Sequence, residues 1–396
     1  MYAINYNLDF RLMSYKPLKK GLEVELYAGT ENGQVLPLSG KVKDHFSEFS
    51  QEPDERNLEY ITKPTTSYSE LFKEIVQPRI KLRQFLKEKD NLTLIPGSTM
   101  PLSFDKKFYY SKPDDEYHNF ILQTYKTNVI TTSLHINFGV EDYGKLFKLL
   151  NVLRLDMPLL LALSASSCFF DGKVTGYNSY RWHAFPKTPS HVPFFSNHDE
   201  YISWTNEQLL NKTMFNVRHL WTSIRPNGDN RPTDLNRIEI RICDFVSDTR
   251  KALAIVAFIE CLIQKHLIDD KISTVLNANQ NELAKLVTIM MGQEELVAKD
   301  GLNASIWDWR RDTTNKTSSI IESLYKDIEP IAKELNILTY LNPILDILTN
   351  GNESTNFMSL YKKNNSIPQT IKYFIEQFAL LDFKSQDMIE GTIAVK

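Results

Sequence analysis

Four short segments between residues 21 and 242 put acidic, basic or histidine side chains on alternate positions of otherwise apolar strands. They are Gly21-Leu22-Glu23-Val24-Glu25-Leu26, Asn57-Leu58-Glu59-Tyr60, Ser133-Leu134-His135-Ile136-Asn137-Phe138 and Arg237-Ile238-Glu239-Ile240-Arg241-Ile242. Successive strand side chains point to opposite faces. Glu23 and Glu25 therefore oppose Leu22, Val24 and Leu26, while Arg237, Glu239 and Arg241 oppose Ile238, Ile240 and Ile242. If the four strands share one sheet, its second face collects carboxylates, an imidazole and guanidiniums. A half-wet antiparallel sheet shows the same alternation, but its wet positions usually carry Thr, Ser, Lys and Gln in no fixed order. Here Glu or His recurs at the centre of each segment.

The chain has 396 residues, 42% hydrophobic and 11% aromatic, ample for a large core in one or two domains. Its net charge is −3, with 46 basic and 49 acidic side chains. That balance argues against nucleic acid as a partner, because phosphate-backbone binding rests on a basic surface. Cys168, Cys243 and Cys261 form no CxxC pair, which fits a reducing compartment. The N-terminus shows no basic start followed by an apolar stretch, and the run Met157–Leu163 is too short to span a membrane. A cytoplasmic protein is expected.

Residues 1–18 read as an extension, 19–247 as an antiparallel-sheet core, and 248–396 as a helical part completing the same domain. Within the core, residues 21–62 are predicted as strand, turn and strand, with Glu31-Asn32-Gly33-Gln34 as the hairpin signal. A helix over 67–89 should be kinked or interrupted by Pro78, and one over 143–166 interrupted at Pro158. A strand follows at 92–96. Residues 101–120, 169–181 and 225–232 read as loops, and His183, His191 and His198 as loop residues. Strand signals vanish after residue 248, where helices are predicted at 250–268, 280–298, 317–337 and 368–382, with 349–355 a polar linker. The fold class is α+β, an antiparallel sheet with helices on its apolar side.

Glu23, Glu25, Glu52, Glu59 and Glu239 offer hard oxygen ligands of the kind magnesium takes, and a single imidazole, His135, is compatible with magnesium or manganese. Neither HExxH nor clustered Cys and His points to zinc. Several divalent ions on one strand face would suit phosphoryl transfer. Arg181, Arg225, Arg231, Arg237 and Arg241 gather around the same segments, and arginine suits bidentate recognition of carboxylate and phosphate. A Glu239–Arg241 ion pair of purely structural value is the plain alternative. The chain has no GxxxxGK[ST], GxGxxG or GxSxG.

Taken in order, Gly21-Leu22-Glu23-Val24-Glu25, Glu52–Tyr60, Ile95-Pro96-Gly97-Ser98-Thr99, Thr132–Asn137, Leu163–Ser167, Thr175-Gly176-Tyr177-Asn178-Ser179-Tyr180-Arg181 and Arg237–Arg241 resemble the glutamate–cysteine ligase family. The match is to its cyanobacterial type, within the wider carboxylate–amine ligase group, and runs from about residue 20 to 250. The resemblance implies a glutamine synthetase-like fold and the first step of glutathione synthesis. ATP would phosphorylate the γ-carboxylate of L-glutamate, and the amine of L-cysteine would displace the phosphate. It implies that Glu23, Glu25, Glu52, Glu59, His135 and Glu239 hold magnesium, with Asp54 able to take the place of Glu52. Arg241 would steady the transferring phosphoryl group, Arg181 would bind glutamate or the acyl phosphate, and Arg225 would contact the nucleotide. Tyr177 and Tyr180 are candidates for the substrate pocket from their neighbourhood. Alternatives on the same face are ligation of glutamate to a different amine, a phosphotransferase, and a non-catalytic binding protein.

Overall fold

A computed structural model describes residues 15–112, 116–125, 130–268 and 279–391. Most of the expected N-terminal extension lies outside the described residues. In chain order the elements are β1 (Lys20–Thr30), α1 (Ser39–His45), β2 (Phe49–Gln51), β3 (Leu58–Ile61), α2 (Tyr68–Asp90), β4 (Leu92–Ile95), α3 (Glu116–Tyr125), β5 (Leu134–Gly139) and α4 (Tyr143–Ser164). There follow β6 (Phe169–Phe170), β7 (Lys173–Val174), α5 (Tyr180–Ala184), α6 (His198–Leu210), β8 (Ile224–Asn227) and β9 (Arg237–Ile240). The remaining elements are α7 (Thr249–Ile268), α8 (Gln280–Asp300), β10 (Ser305–Asp308), β11 (Thr313–Lys316), α9 (Thr317–Glu334), α10 (Leu338–Leu341), α11 (Pro343–Asn350), α12 (Glu353–Asn364) and α13 (Ile367–Ile389).

The four alternating segments do lie in one sheet. Its strands run β2-β3-β1-β5-β9-β8, with β4 pairing the far half of β1, and every pair is antiparallel. The apolar face follows from the alternation. Leu22, Val24 and Leu26 of β1, Leu134 and Ile136 of β5, and Ile238 and Ile240 of β9 are buried against α4 and α7 in one continuous core. That core extends through Ile320, Ile344 and Phe378 of the C-terminal helices.

Buried ion pairs tie the layers together. Lys20 Nζ meets Glu260 Oε2 of α7 at 2.6 Å, and the Tyr68 hydroxyl donates to the same oxygen. Arg79 and Arg83 of α2 both meet Asp382 of α13 at 2.6 Å. Removing one partner of such a pair would leave an uncompensated charge in the interior.

Several expectations change. Pro78 and Pro158 sit inside unbroken helices. Each removes one backbone hydrogen bond, and the burial of Leu71, Ile75 and Leu82 in α2, and of nearly all of α4 after Tyr143, outweighs it. The turn at Thr30–Gln34 forms, with Gly33 at φ +92° and its N–H donating to Thr30 O. It leads through a single bridge, Gly29–Val35, to α1 rather than to a hairpin partner. The loop expected at 101–120 ends in α3, and the loop at 225–232 begins as β8. Pro226 is tolerated in β8 because that strand is the sheet edge, where a missing N–H breaks no ladder. The β10–β11 hairpin breaks the expected all-helical C-terminal part. His183 lies in α5 and His198 opens α6, and α11 and α12 both reach into the linker expected at 349–355. Among the described residues no helix is long and apolar enough to cross a membrane.

Candidate active site

Register decides which polar side chains become neighbours. Glu25 of β1 stands directly opposite Glu59 of β3, and Glu23 opposite His135 of β5. Asn137 of β5 stands opposite Glu239 of β9, which is itself opposite Arg225 of β8. Opposed side chains on one face of an antiparallel pair lie within contact distance. Glu52 joins Glu25 and Glu59 from the turn after β2. Two triads result, Glu25–Glu52–Glu59 and Glu23–His135–Glu239, and within each the potential ligand atoms lie within 4.8 Å of one another.

The triads differ in electrostatics. The first holds only carboxylates. Burial, then the charges of Glu59 and Glu25, push Glu52 well above the usual carboxylate range. Burial and Glu25 push Glu59 up to about 7, although the Ser50 hydroxyl donates to it at 2.6 Å. Three carboxylates this close are a site for a cation rather than a stable anionic cluster.

The second triad is backed by guanidiniums. Burial alone would raise Glu239, but Arg225 and Arg241 hold it far below the usual range. Arg225 donates to it in fork geometry at 2.7 and 3.0 Å, Arg241 at 2.5 Å and Asn227 at 2.6 Å. Glu23 is likewise lowered; desolvation is outweighed by His135 and Arg241. His135 Nδ1 lies 3.1 Å from Glu23 Oε2, and Nε2 lies 2.9 Å from the Ser133 hydroxyl, which donates to Glu25 at 2.7 Å. Ser133 thus links the triads.

The donor sets fit hard divalent cations, five carboxylates and one imidazole at close quarters, with Glu52 and Glu59 raised by burial and by the neighbouring carboxylates. Asp54 does not take the place of Glu52. Both its oxygens accept from Arg56 at 2.8 Å, and one also accepts the Tyr109 N–H.

Two cavities meet at this face. An inner one of about 200 Å³ runs from Glu25, Glu52 and His135 toward Phe185 and Trp221. An outer basin of about 640 Å³ is lined by the first triad, by Glu23 and His135 of the second, and by Arg225, Arg231 and Arg237. Glu25, Glu52, His135 and Arg241 line both.

Of the arginines, Arg241 stands at the junction. Arg181 lines the inner cavity, its Nη1 and Nη2 donating to the carbonyls of Ile242 and Arg241, while its buried Nε has no protein partner. Arg225 is engaged throughout: besides Glu239, it donates to the carbonyls of Arg218 and Leu220. It clamps Glu239, whereas Arg231, which also lines the basin, has a buried Nη1 without a protein partner. Tyr177 and Tyr180 are not brought to the cavities. Tyr177 stacks on His183 and Tyr180 packs on Phe170. Ser133, Asn137 and Asn227 escaped the sequence reading, although Ser133 and Asn137 alternate with Leu134 and Ile136 on the His135 face. Asp244, fully buried, also went unnoticed. It accepts from Ser166 N, Ser167 Oγ and Ser179 Oγ and lies 3.5 Å from Arg181 Nη1, so it fixes that guanidinium.

An antiparallel sheet thus carries two cation-ready triads between a polar basin and an inner pocket. Residues 19–372 match the family described as Glutamate-cysteine ligase family 2 (GCS2), and the chain belongs to that family. Over 382 residues, 95% of this chain and 93% of the relative, it is 23% identical to a Solibacter usitatus protein named "Putative glutamate--cysteine ligase 2". A Gloeobacter violaceus protein of the same name is 29% identical over 59% of this chain and 60% of its own length. Among solved structures, a bifunctional glutathione synthetase from Pasteurella multocida superposes with a TM-score of 0.71 at 16% identity, over 92% of this chain and 53% of that one. Glutamate–cysteine ligase from Francisella tularensis in complex with AMP gives 0.68, also at 16% identity, over 96% and 94%. At such identity these two share the fold.

Proposed function

We propose that this protein joins the γ-carboxylate of L-glutamate to an amine with consumption of ATP, and that L-cysteine is the acceptor to test first. The observation that carries the reading is the shared wall of Glu25, Glu52, His135 and Arg241 between the two cavities. A nucleotide triphosphate in the basin and a carboxylate in the inner cavity would meet there. Residues 19–247 and 248–396 are read as one ligase domain, supported by the core common to both.

Magnesium held by Glu25, Glu52 and Glu59, and by Glu23, His135 and Glu239, would neutralise phosphate charge and orient the oxygens in transfer. Arg241, fixed by Glu239, presents positive charge where the phosphoryl group passes, and donors already fixed in place stabilise developing charge without reorganisation. Arg231 is suited to a nucleotide phosphate. Arg181 Nε is suited to the glutamate carboxylate that does not react. A carboxylate acylates poorly; as an acyl phosphate it becomes open to amine attack. A second reading, the same chemistry with a different amine, is favoured by the apolar side chains that line the inner cavity.

The test is purified protein with ATP, magnesium and L-glutamate, with and without L-cysteine, reading ADP and amide together by mass spectrometry. Amine-dependent ADP release matched one-to-one by a γ-glutamyl amide is expected. ADP release with no amide from any amine would replace the ligase reading with a phosphotransferase.

A further inference from the structure

We propose that Ser133 is a positioning residue for the second triad: its hydroxyl keeps a hydrogen on Nε2 of His135, so that Nδ1 is the ring nitrogen that takes the cation. This rests on the cation-binding role proposed above for Glu23, His135 and Glu239.

Ser133 stands just ahead of β5 and is held from both sides. Its carbonyl accepts the Glu25 N–H at 3.0 Å, and its backbone bridges Asp244. The hydroxyl, almost fully buried, therefore arrives at a fixed place between Glu25 Oε2 at 2.7 Å and His135 Nε2 at 2.9 Å.

One hydrogen cannot serve both contacts. A serine hydroxyl carries a single hydrogen, and an ionised carboxylate only accepts. If that hydrogen pointed to Nε2, the Ser133 and Glu25 oxygens would face each other at 2.7 Å with nothing between them. Ser133 therefore donates to Glu25, and its own oxygen accepts from Nε2–H. This holds whether or not Nδ1 also carries a proton, so Nδ1 is the nitrogen that the ring can give up to a cation.

The surroundings of Nδ1 fit that role. Glu23 Oε2 lies 3.1 Å away and Glu239 Oε1 4.0 Å away. Glu23 Oε1 accepts from Asn137 Nδ2 at 3.1 Å, which leaves Oε2 to the imidazole side. A ring lone pair and two carboxylate oxygens repel one another unless positive charge lies among them. An imidazole that binds a metal through one nitrogen relies on the partner of the other, which sets the tautomer and the ring orientation. Glu25, which anchors Ser133, belongs to the first triad, so one carboxylate supports both sites.

The test uses the intact protein stripped of metal, with manganese and magnesium as the probes and no substrate. Free manganese is counted by electron paramagnetic resonance. Nitrogen-15 NMR of the magnesium-loaded, histidine-labelled protein reads which ring nitrogen carries hydrogen, and His135 is assigned by its loss in His135→Gln. In the parent, Nε2 is expected to carry the hydrogen and Nδ1 none. Ser133→Ala should weaken one manganese ion by about 10–100-fold and leave the other nearly unchanged. Its His135 should no longer show the Nε2–H form alone. Ser133→Thr, which keeps the hydroxyl, should restore both the affinity and the spectrum. Hydrogen on Nδ1 in the loaded parent, or manganese bound by Ser133→Ala as tightly as by the parent, would overturn the proposal and leave the cation reading standing. Equal weakening of both ions would also count against it, because a serine that only supports the fold loosens the two sites alike. A parent that binds no manganese would remove the cation reading, and this proposal with it.

Discussion

Glu59→Gln is expected to stabilise the metal-free protein while abolishing turnover. Burial and the neighbouring Glu25 push Glu59 up to about 7 in the folded protein, from 4.5. The folded state thus holds this proton more tightly than the unfolded state. The resulting stability is complete below pH 4.5 and is lost as pH rises through about 7. At pH 8 the ionised side chain would cost at most ~3 kcal/mol from a shift of this size, and its partial exposure to the basin reduces that to about 1–2 kcal/mol. The amide removes the charge and can still accept from the Ser50 hydroxyl. The assay is urea unfolding of parent and variant with EDTA at pH 5 and pH 8, repeated at pH 8 with magnesium. The variant should lead by about 1–2 kcal/mol at pH 8 in EDTA, and the gap should nearly close at pH 5. Saturating magnesium should put the parent ahead, because a ligand that binds only the folded state adds its binding free energy. A variant no more stable than the parent at pH 8 in EDTA would refute the claim that these carboxylates crowd one another.

Glu239→Gln should behave oppositely, losing about 3–5 kcal/mol in the same unfolding assay, because it strands Arg225 and Arg241 in the interior; a loss below ~1 kcal/mol would mean that the clamp is not formed. His219 is buried among Tyr117, Phe120, Tyr125 and Trp221, and burial lowers it to about 4. Its neutral form stabilises the fold fully above pH 6.5, and that contribution is lost as pH falls toward about 4. Denaturation between pH 7 and pH 5 should show His219→Phe with a shallower loss than the parent, by about 2 kcal/mol at pH 5; parallel curves would contradict it.

The acidic face was legible because strand alternation is a local signal, and register then brought distant segments together. Glu23, Glu25, Glu59, His135 and Glu239 needed only that the four strands share a sheet. Glu52 lies off the alternation and is legible only as a further hard oxygen donor, to which the family resemblance adds a metal role. What alternation does not encode is division of labour among like residues. Arg225 and Arg241 both flank Glu239, and only the side-chain geometry shows one fully engaged and the other at the junction. Tyr177 and Tyr180 illustrate the reverse error. Proximity to Arg181 in sequence suggested the pocket, but the turn of α5 sends Tyr180 toward Phe170 while Arg181 reaches the carbonyls beyond β9. The β8 strand was hidden by Pro226, a residue that only an edge strand tolerates.

The order of the strands has a consequence for synthesis. The strands β1, β3 and β5, with Glu23, Glu25, Glu59 and His135, leave the ribosome well before β8 and β9 bring Arg225, Glu239 and Arg241. Until then the emerging sheet carries its negative charge without the guanidiniums, and β5 has an open edge able to pair with another chain. Insertion of β9 between β5 and β8 closes that edge and brings in the two arginines that flank Glu239. A ribosome stalled between β5 and β8 would hold a chain whose acidic face lacks its guanidiniums and whose β5 border is unpaired, the kind of edge that invites association with another chain.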